Sequence, residues 1–192
     1  MAFTPNNNFN ANQNNGGEKK KTNFRLGKIW GSDGQMDVSI WVADTGVRAI
    51  LTIKQAVGKD PSTGASVLEQ KQPSELPRYF LNADYIRAIL AANERLTDPG
   101  SVNIVIDKGQ NGGKLSIIGS GNSIKITIES PKNGSRTMTL DSVSVGADNI
   151  HAGYLNLIEY LKIALKKAMT QKLDPEEFSM ALQSSDDDNL PI

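Results

Sequence analysis

Two neighbouring stretches of strict alternation constrain this chain more than any other feature. Met36 to Ala43 puts Val38, Ile40 and Val42 on one side and Asp37, Ser39 and Trp41 on the other. Val47 to Gln55 repeats the pattern, with Val47, Ala49, Leu51 and Ile53 against Arg48, Ile50, Thr52 and Lys54. A period of two belongs to a strand, not to a helix. Asp44-Thr45-Gly46, between the two runs, is turn material. The runs predict a hairpin with one apolar and one polar face. Trp41 sits on the polar face, where it has no core to enter.

The remaining elements arrange themselves around this pair. Phe24 to Trp30 reads as a preceding strand in which Lys28 and Trp30 share parity. Gly58 to about Pro77 is a polar loop. Arg78 to Leu81 is a short extended piece leading to Asn82, a helix N-cap by residue type. The helix behind it carries Ile86, Ile89, Leu90 and Leu96 on one stripe and stops at Pro99-Gly100. A second set follows. Val102, Ile104 and Ile106 form a strand face, and Lys114 to Ile118 and Ser123 to Glu129 are strands. Asn133-Gly134 is a hairpin turn, since both residues tolerate positive φ. Ser135 to about Val145 is another strand. A final helix, His151 to about Lys172, bears the stripe Tyr154, Leu157, Ile158, Leu161, Leu165 and Ala168.

Strands–helix–strands–helix predicts an α+β domain over residues 23–173, built of units at about 23–98 and 101–172. An elaborated oligonucleotide-binding barrel, whose helix also follows its third strand, is the alternative. Residues 1–22, rich in Asn and Gly and ending in a lysine run, cannot bury enough apolar surface to order and are expected to be a disordered arm. Residues 174–192 are expected to be a flexible acidic tail.

Charge separates the same regions. The chain holds 21 basic and 21 acidic residues, but six of the acids lie in the tail with no Lys or Arg beside them. Residues 1–173 therefore carry 21 bases against 15 acids, a net of +6. A basic body suggests an anionic ligand, and the tail a separate role. No apolar run approaches the roughly 18 residues of a membrane-spanning helix. The first residues lack the basic-then-apolar order of a secretory leader. The expectation is a soluble, cytoplasmic protein of a bacterium or of a phage-infected cell.

Catalytic chemistry finds little support. Cysteine is absent and His151 is the one histidine, with no ligand partner at helical spacing, so neither a metal nor a cofactor is expected. Asp44-Thr45-Gly46 matches an aspartic-protease tripeptide, but that chemistry needs two carboxylates sharing a proton. No glycine-rich segment has phosphate-loop spacing. The expectation is a binding protein, not an enzyme.

Sequence-tolerant binding of single strands needs cations for phosphates and flat rings for bases. The polar strand faces supply both: Lys28, Trp30, Trp41, Arg48 and Lys54 in the first unit. Tyr79, beside Arg78, is a further candidate stacker. Lys114, Lys125 and Arg136 are the candidates of the second unit.

Phe24-Arg25-Leu26-Gly27-Lys28 resembles the F-x-I-G-K opening strand of eukaryotic transcription coactivators of the positive-cofactor-four type. The turn at Asp44-Thr45-Gly46, the apolar strand Val47 to Lys54, the polar loop and the entry Phe80-Leu81-Asn82 follow in that family's order. Two fused copies give the architecture of the Whirly proteins, which the chain resembles over about 150 residues by order of elements. The second half lacks the F-x-I-G-K opening. The resemblance implies binding of single-stranded DNA, or RNA, across curved antiparallel sheets, and assembly into homo-oligomers. Separately, Asp186-Asp187-Asp188-Asn189-Leu190-Pro191-Ile192 resembles the acidic tip of bacterial single-stranded DNA-binding proteins, with Ile192 in place of the terminal Phe. That resemblance implies a partner-binding tip made of Asp186, Asp187, Asp188, Leu190, Pro191 and Ile192. Its acids would approach a basic rim and its apolar residues a groove on a replication or repair protein. The expected function is coating of exposed single strands in replication, recombination or repair. A virion or assembly protein and an RNA-binding regulator are the alternatives.

Overall fold

The central hairpin forms as its alternation predicts, and it organises the first half of the molecule. The computed structural model describes residues 22–43, 46–146 and 148–170. Expectations about the N-terminal arm, the acids and tip of the tail, and Asp44-Thr45 lie outside the described residues. Strand β2, Gly34–Ala43, pairs antiparallel with β3, Gly46–Lys59. Met36 lies opposite Ile53, Val38 opposite Leu51, and Ile40 opposite Ala49. All six are fully buried, each aliphatic side chain contributing about 1.5–3 kcal/mol of transfer free energy.

β1, Thr22–Trp30, lies along the free edge of β2. The pairing shifts between Arg25 and Gly27. Such a bulge resets the phase of a strand by one residue. Arg25 and Lys28, three apart, therefore face the same side. Gly27 serves a second purpose, because a Cβ there would collide with the phenol of Tyr160. The bulge glycine lets a helix lie close against β1.

On the other side of β3 run two short strands. β4, Ser66–Leu68, pairs with its end and β5, Arg78–Leu81, with its middle. The segment read as a plain loop thus contains β4 and a 3₁₀ turn at Pro73–Glu75. Helix α1, Ala83–Glu94, starts at Asn82, whose side chain accepts from the Tyr85 amide at 3.0 Å.

The second half is a separate antiparallel meander. Its strands are β6, Asn103–Asp107; β7, Lys114–Ser120; β8, Ser123–Ser130; and β9, Gly134–Asp141. Gly134 has φ 73°, the left-handed geometry the Asn-Gly hairpin requires. The predicted strand from Ser135 to about Val145 ends early. Val143–Val145 instead pairs with Asp148–Ile150 as a two-stranded ribbon, β10 and β11, with Val143 and Val145 exposed. Helix α2 spans Ala152–Met169 with His151 at its N-cap position.

The chain is thus α+β, with antiparallel sheets of half-barrel curvature and two helices. The inner faces of both sheets and the buried stripes of α1 and α2 share one core. Tyr154, Leu157, Ile158 and Leu161 of the predicted stripe are buried in it. Several polar ties join the halves. Asp33, in the β1–β2 turn, accepts from the amide and the hydroxyl of Thr139 on β9 at 2.6 and 2.9 Å. Lys108, after β6, donates to the carbonyl of Phe80 and lies 4.5 Å from the ring centre of Tyr79 and 4.6 Å from that of Tyr85. No described helix is long and apolar enough to cross a membrane.

Candidate nucleic-acid interface

Strand pairing fixes which side chains share the outer face of the first sheet, the one turned away from the core. Four rows cross it. Asn23, Trp41 and Arg48 form the first; Arg25, Ser39, Ile50 and Phe80 the second. Lys28, Asp37, Thr52 and Arg78 form the third; Trp30, Gln35 and Lys54 the fourth. Lys28, Trp30, Trp41, Arg48 and Lys54 are therefore brought to one surface. The distance from Arg48 to Lys54, six residues of strand, is about 20 Å.

Each end of the face carries an indole and a cation. At one end Trp41 meets Phe80 edge to face, centroids 6.3 Å apart. The guanidinium of Arg48 lies 5.5 Å above the Trp41 ring. At the other end Trp30 is 58% exposed, in the same row as Lys54 on the next strand but one.

Between the ends lies a cleft of about 250 Å³. Ser39, Ile50 and Thr52 floor it, and Pro73 and Leu76 wall it. Arg25, Lys54 and Arg78 stand at its edges. Ile50 and Thr52, although on the outer face, are only 5% and 8% exposed, because this wall folds over them. The wall is held from the second half. Asn133, in the β8–β9 turn, donates to the carbonyls of Leu76 and Ser74 at 2.8 and 3.1 Å. Arg136 grips Glu69 with two parallel bonds of 2.9 and 3.0 Å. The Gln55 amide donates to the same carboxylate at 3.0 Å. The Arg136 bond, chiefly, holds the Glu69 carboxyl down at about 2, against an opposing push from burial.

Two expected site residues have other work. Tyr79 is 1% exposed and lies on the inner face, its hydroxyl donating to the Ile106 carbonyl at 3.0 Å. Burial pushes that hydroxyl up to about 12. Its neighbour Phe80 holds the outer face instead. Arg136 falls in phase with the buried Met138 and Leu140 and is committed to Glu69, so it shapes the cleft wall and is not a free cation.

Lys114 and Lys125 lie on the outer face of the second sheet, away from the tryptophans. Lys114 pairs across to Asp107 and Glu129; Lys125 lies between Ile118 and Thr139. Asn23, Arg25, Arg78 and Phe80 were missed as members of the first face. For Phe80 a signal existed: Leu81 opens a buried helix entry, so Tyr79 shares its parity and Phe80 takes the other side.

Among the described residues no cluster of His, Cys, Asp or Glu could hold a metal ion. No protein-family model, curated protein or solved structure matches the chain.

Proposed function

We propose that the chain is a sequence-tolerant single-stranded DNA-binding protein and that the outer face of the first sheet is its binding surface. One observation carries the reading. A single exposed sheet face gathers Arg25, Lys28, Arg48, Lys54 and Arg78 with Trp30, Trp41 and Phe80, against Asp37 as its one carboxylate. Cations for the backbone and rings for the bases are the two requirements of such binding, and each stacked base contributes about 1–3 kcal/mol. A duplex hides the faces of its bases and offers nothing to these rings.

Two units, each of antiparallel strands leading to a helix, support a Whirly-like arrangement in preference to a single five-stranded barrel. In this reading the protein coats exposed strands during replication, recombination or repair, as a homo-oligomer. The acidic segment 174–192 competes for the basic face when DNA is absent and recruits partners when displaced.

The test is titration of a labelled oligothymidine with duplex as competitor, over a range of salt, following tryptophan emission. The expected result is preference for the single strand, quenched emission, and a log–log salt slope of about −0.7 for each phosphate contacted. Absence of binding at low salt, with and without residues 174–192, would sink the proposal and favour an assembly protein.

A further inference from the structure

The cleft in the first sheet has no counterpart in a simple stacking platform. A platform needs flat rings and cations; it needs neither a walled pocket nor a carboxylate. Asp37 is the odd group. It is the one acid on the face, and it lines the cleft. Its Oδ1 accepts from the side chains of Arg25 and of Gln35, the latter at 2.9 Å. Both donors use the same oxygen, which fixes the carboxylate and leaves Oδ2 open. Asp37 thus brings a carboxylate to a cleft it shares with the hydroxyls of Ser39 and Thr52.

We infer that the cleft takes one nucleobase from the bound strand and that Asp37 selects a base bearing an exocyclic amino group. The inference rests on the single-strand reading above and adds a preference to it. A space of about 250 Å³ is large enough for a nucleobase. Pro73, exposed on the wall, gives the base apolar surface. Ser39 and Thr52 give hydroxyls that donate or accept as the base edge requires. Lys54 and Arg78 at the edges take the flanking phosphates, while Arg25 is paired with Asp37. An amino group such as cytosine N4 donates to a carboxylate. Thymine has an oxygen at that position. Its one donor, N3–H, lies between two carbonyls that the carboxylate repels. Thymine in the cleft would leave Oδ2 desolvated and without a donor, the costly kind of mismatch. Rings at the two ends stay indifferent to sequence, so one position in the bound strand is read and the others are not.

The experiment compares oligothymidine, oligothymidine with one central cytosine, and oligothymidine with one central N4,N4-dimethylcytosine, on the full chain at neutral pH. The single cytosine is expected to tighten binding about tenfold, a charge-assisted hydrogen bond's worth of discrimination. The dimethylated base, with no amino hydrogen, should behave as thymine. Asp37→Asn should erase the cytosine advantage, read as the ratio of affinities for the cytosine-bearing oligomer and oligothymidine on the same variant. Equal affinity for all three oligomers overturns the base-selecting cleft and leaves the single-strand reading intact. An Asp37→Asn variant that weakens all three alike assigns Asp37 only to holding Arg25, which also overturns it. No binding to any oligomer removes the underlying reading itself. The three-oligomer comparison needs only the unmodified protein, so it holds even if the variant folds poorly.

Discussion

The outer faces of the two sheets make an instructive pair. Both belong to antiparallel sheets, and both alternate with buried Ile, Leu and Met on the inside. The first carries five cations, two indoles and Phe80. The second carries Lys114 and Lys125 among Asp107, Glu129 and Asp141, with Ser116, Thr127, Thr137 and Thr139, the exposed Val105 and Ile118, and no aromatic ring. Alternating charge with hydroxyls is what a solvated strand face needs to stay in water and avoid edge pairing. The first face has more charge of one sign, and more ring, than solvation requires. On the proposed function, the difference puts the ligand on the first half and support in the second.

Reversing charge should break the comparison most visibly. Arg48→Glu together with Lys54→Glu is expected to weaken oligothymidine binding more than about a hundredfold at moderate salt and to flatten the salt slope. Lys114→Glu with Lys125→Glu should change affinity by less than about threefold under the same titration, since the phosphates do not reach that sheet. A comparable loss from both pairs would mean the strand wraps both faces. Next in size is Trp41→Ala, expected to cost about tenfold to a hundredfold, the range for one lost stack, with a matching loss of fluorescence quenching. Trp30→Ala should do the same to a lesser degree, because no described ring backs Trp30 as Phe80 backs Trp41.

The supporting role of the second half is tested at Glu69. Its folded-state value, about 2, lies below the ordinary 4.5. The stability it contributes is therefore present in full above about pH 4.5 and is lost as the pH falls towards 2. Glu69→Gln should be less stable than the parent near neutrality by about 2 kcal/mol. That gap should close between pH 4.5 and 2 in thermal unfolding of both proteins, while a pH-independent gap would show that packing, not charge, is at stake. Smallest of all, deleting residues 174–192 should tighten binding about twofold to fivefold at low salt and not at high salt, as expected of screened competition. Unchanged affinity at low salt would remove the tail from the binding equilibrium.

Much of this surface was legible in the sequence, for a definite reason. β2 and β3 are long, regular and half-buried, so their period of two is unbroken and names Trp41, Arg48 and Lys54 directly. Asn82 was legible as a cap because capping depends on one residue type at one position. The failures sit where periodicity is short or interrupted. β5 has four residues, too few to show a phase, which put Tyr79 outside when it is inside. The bulge at Arg25/Gly27 hid Arg25, because a phase reset has no mark beyond the glycine. Arg136 follows the inward parity of β9, yet an arginine at that position reads as solvated until Glu69, 67 residues away, is known to meet it. The cleft was not visible at all: its wall comes from an irregular segment whose placement depends on Asn133 and Arg136.

Those ties from the second half decide how such a molecule can be dissected. A fragment ending near residue 101 would retain every side chain of the binding face. It would lack Asn133, Arg136 and Lys108, and with them the anchors of residues 69–76 and of the strand bearing Phe80. Proton NMR of the fragment should find the β2–β3 pairing weakened and the 66–77 segment without protected amides. The surface is written in the first half of the chain and assembled by both. Lesions far along the second half will then register as lost affinity at residues they never touch.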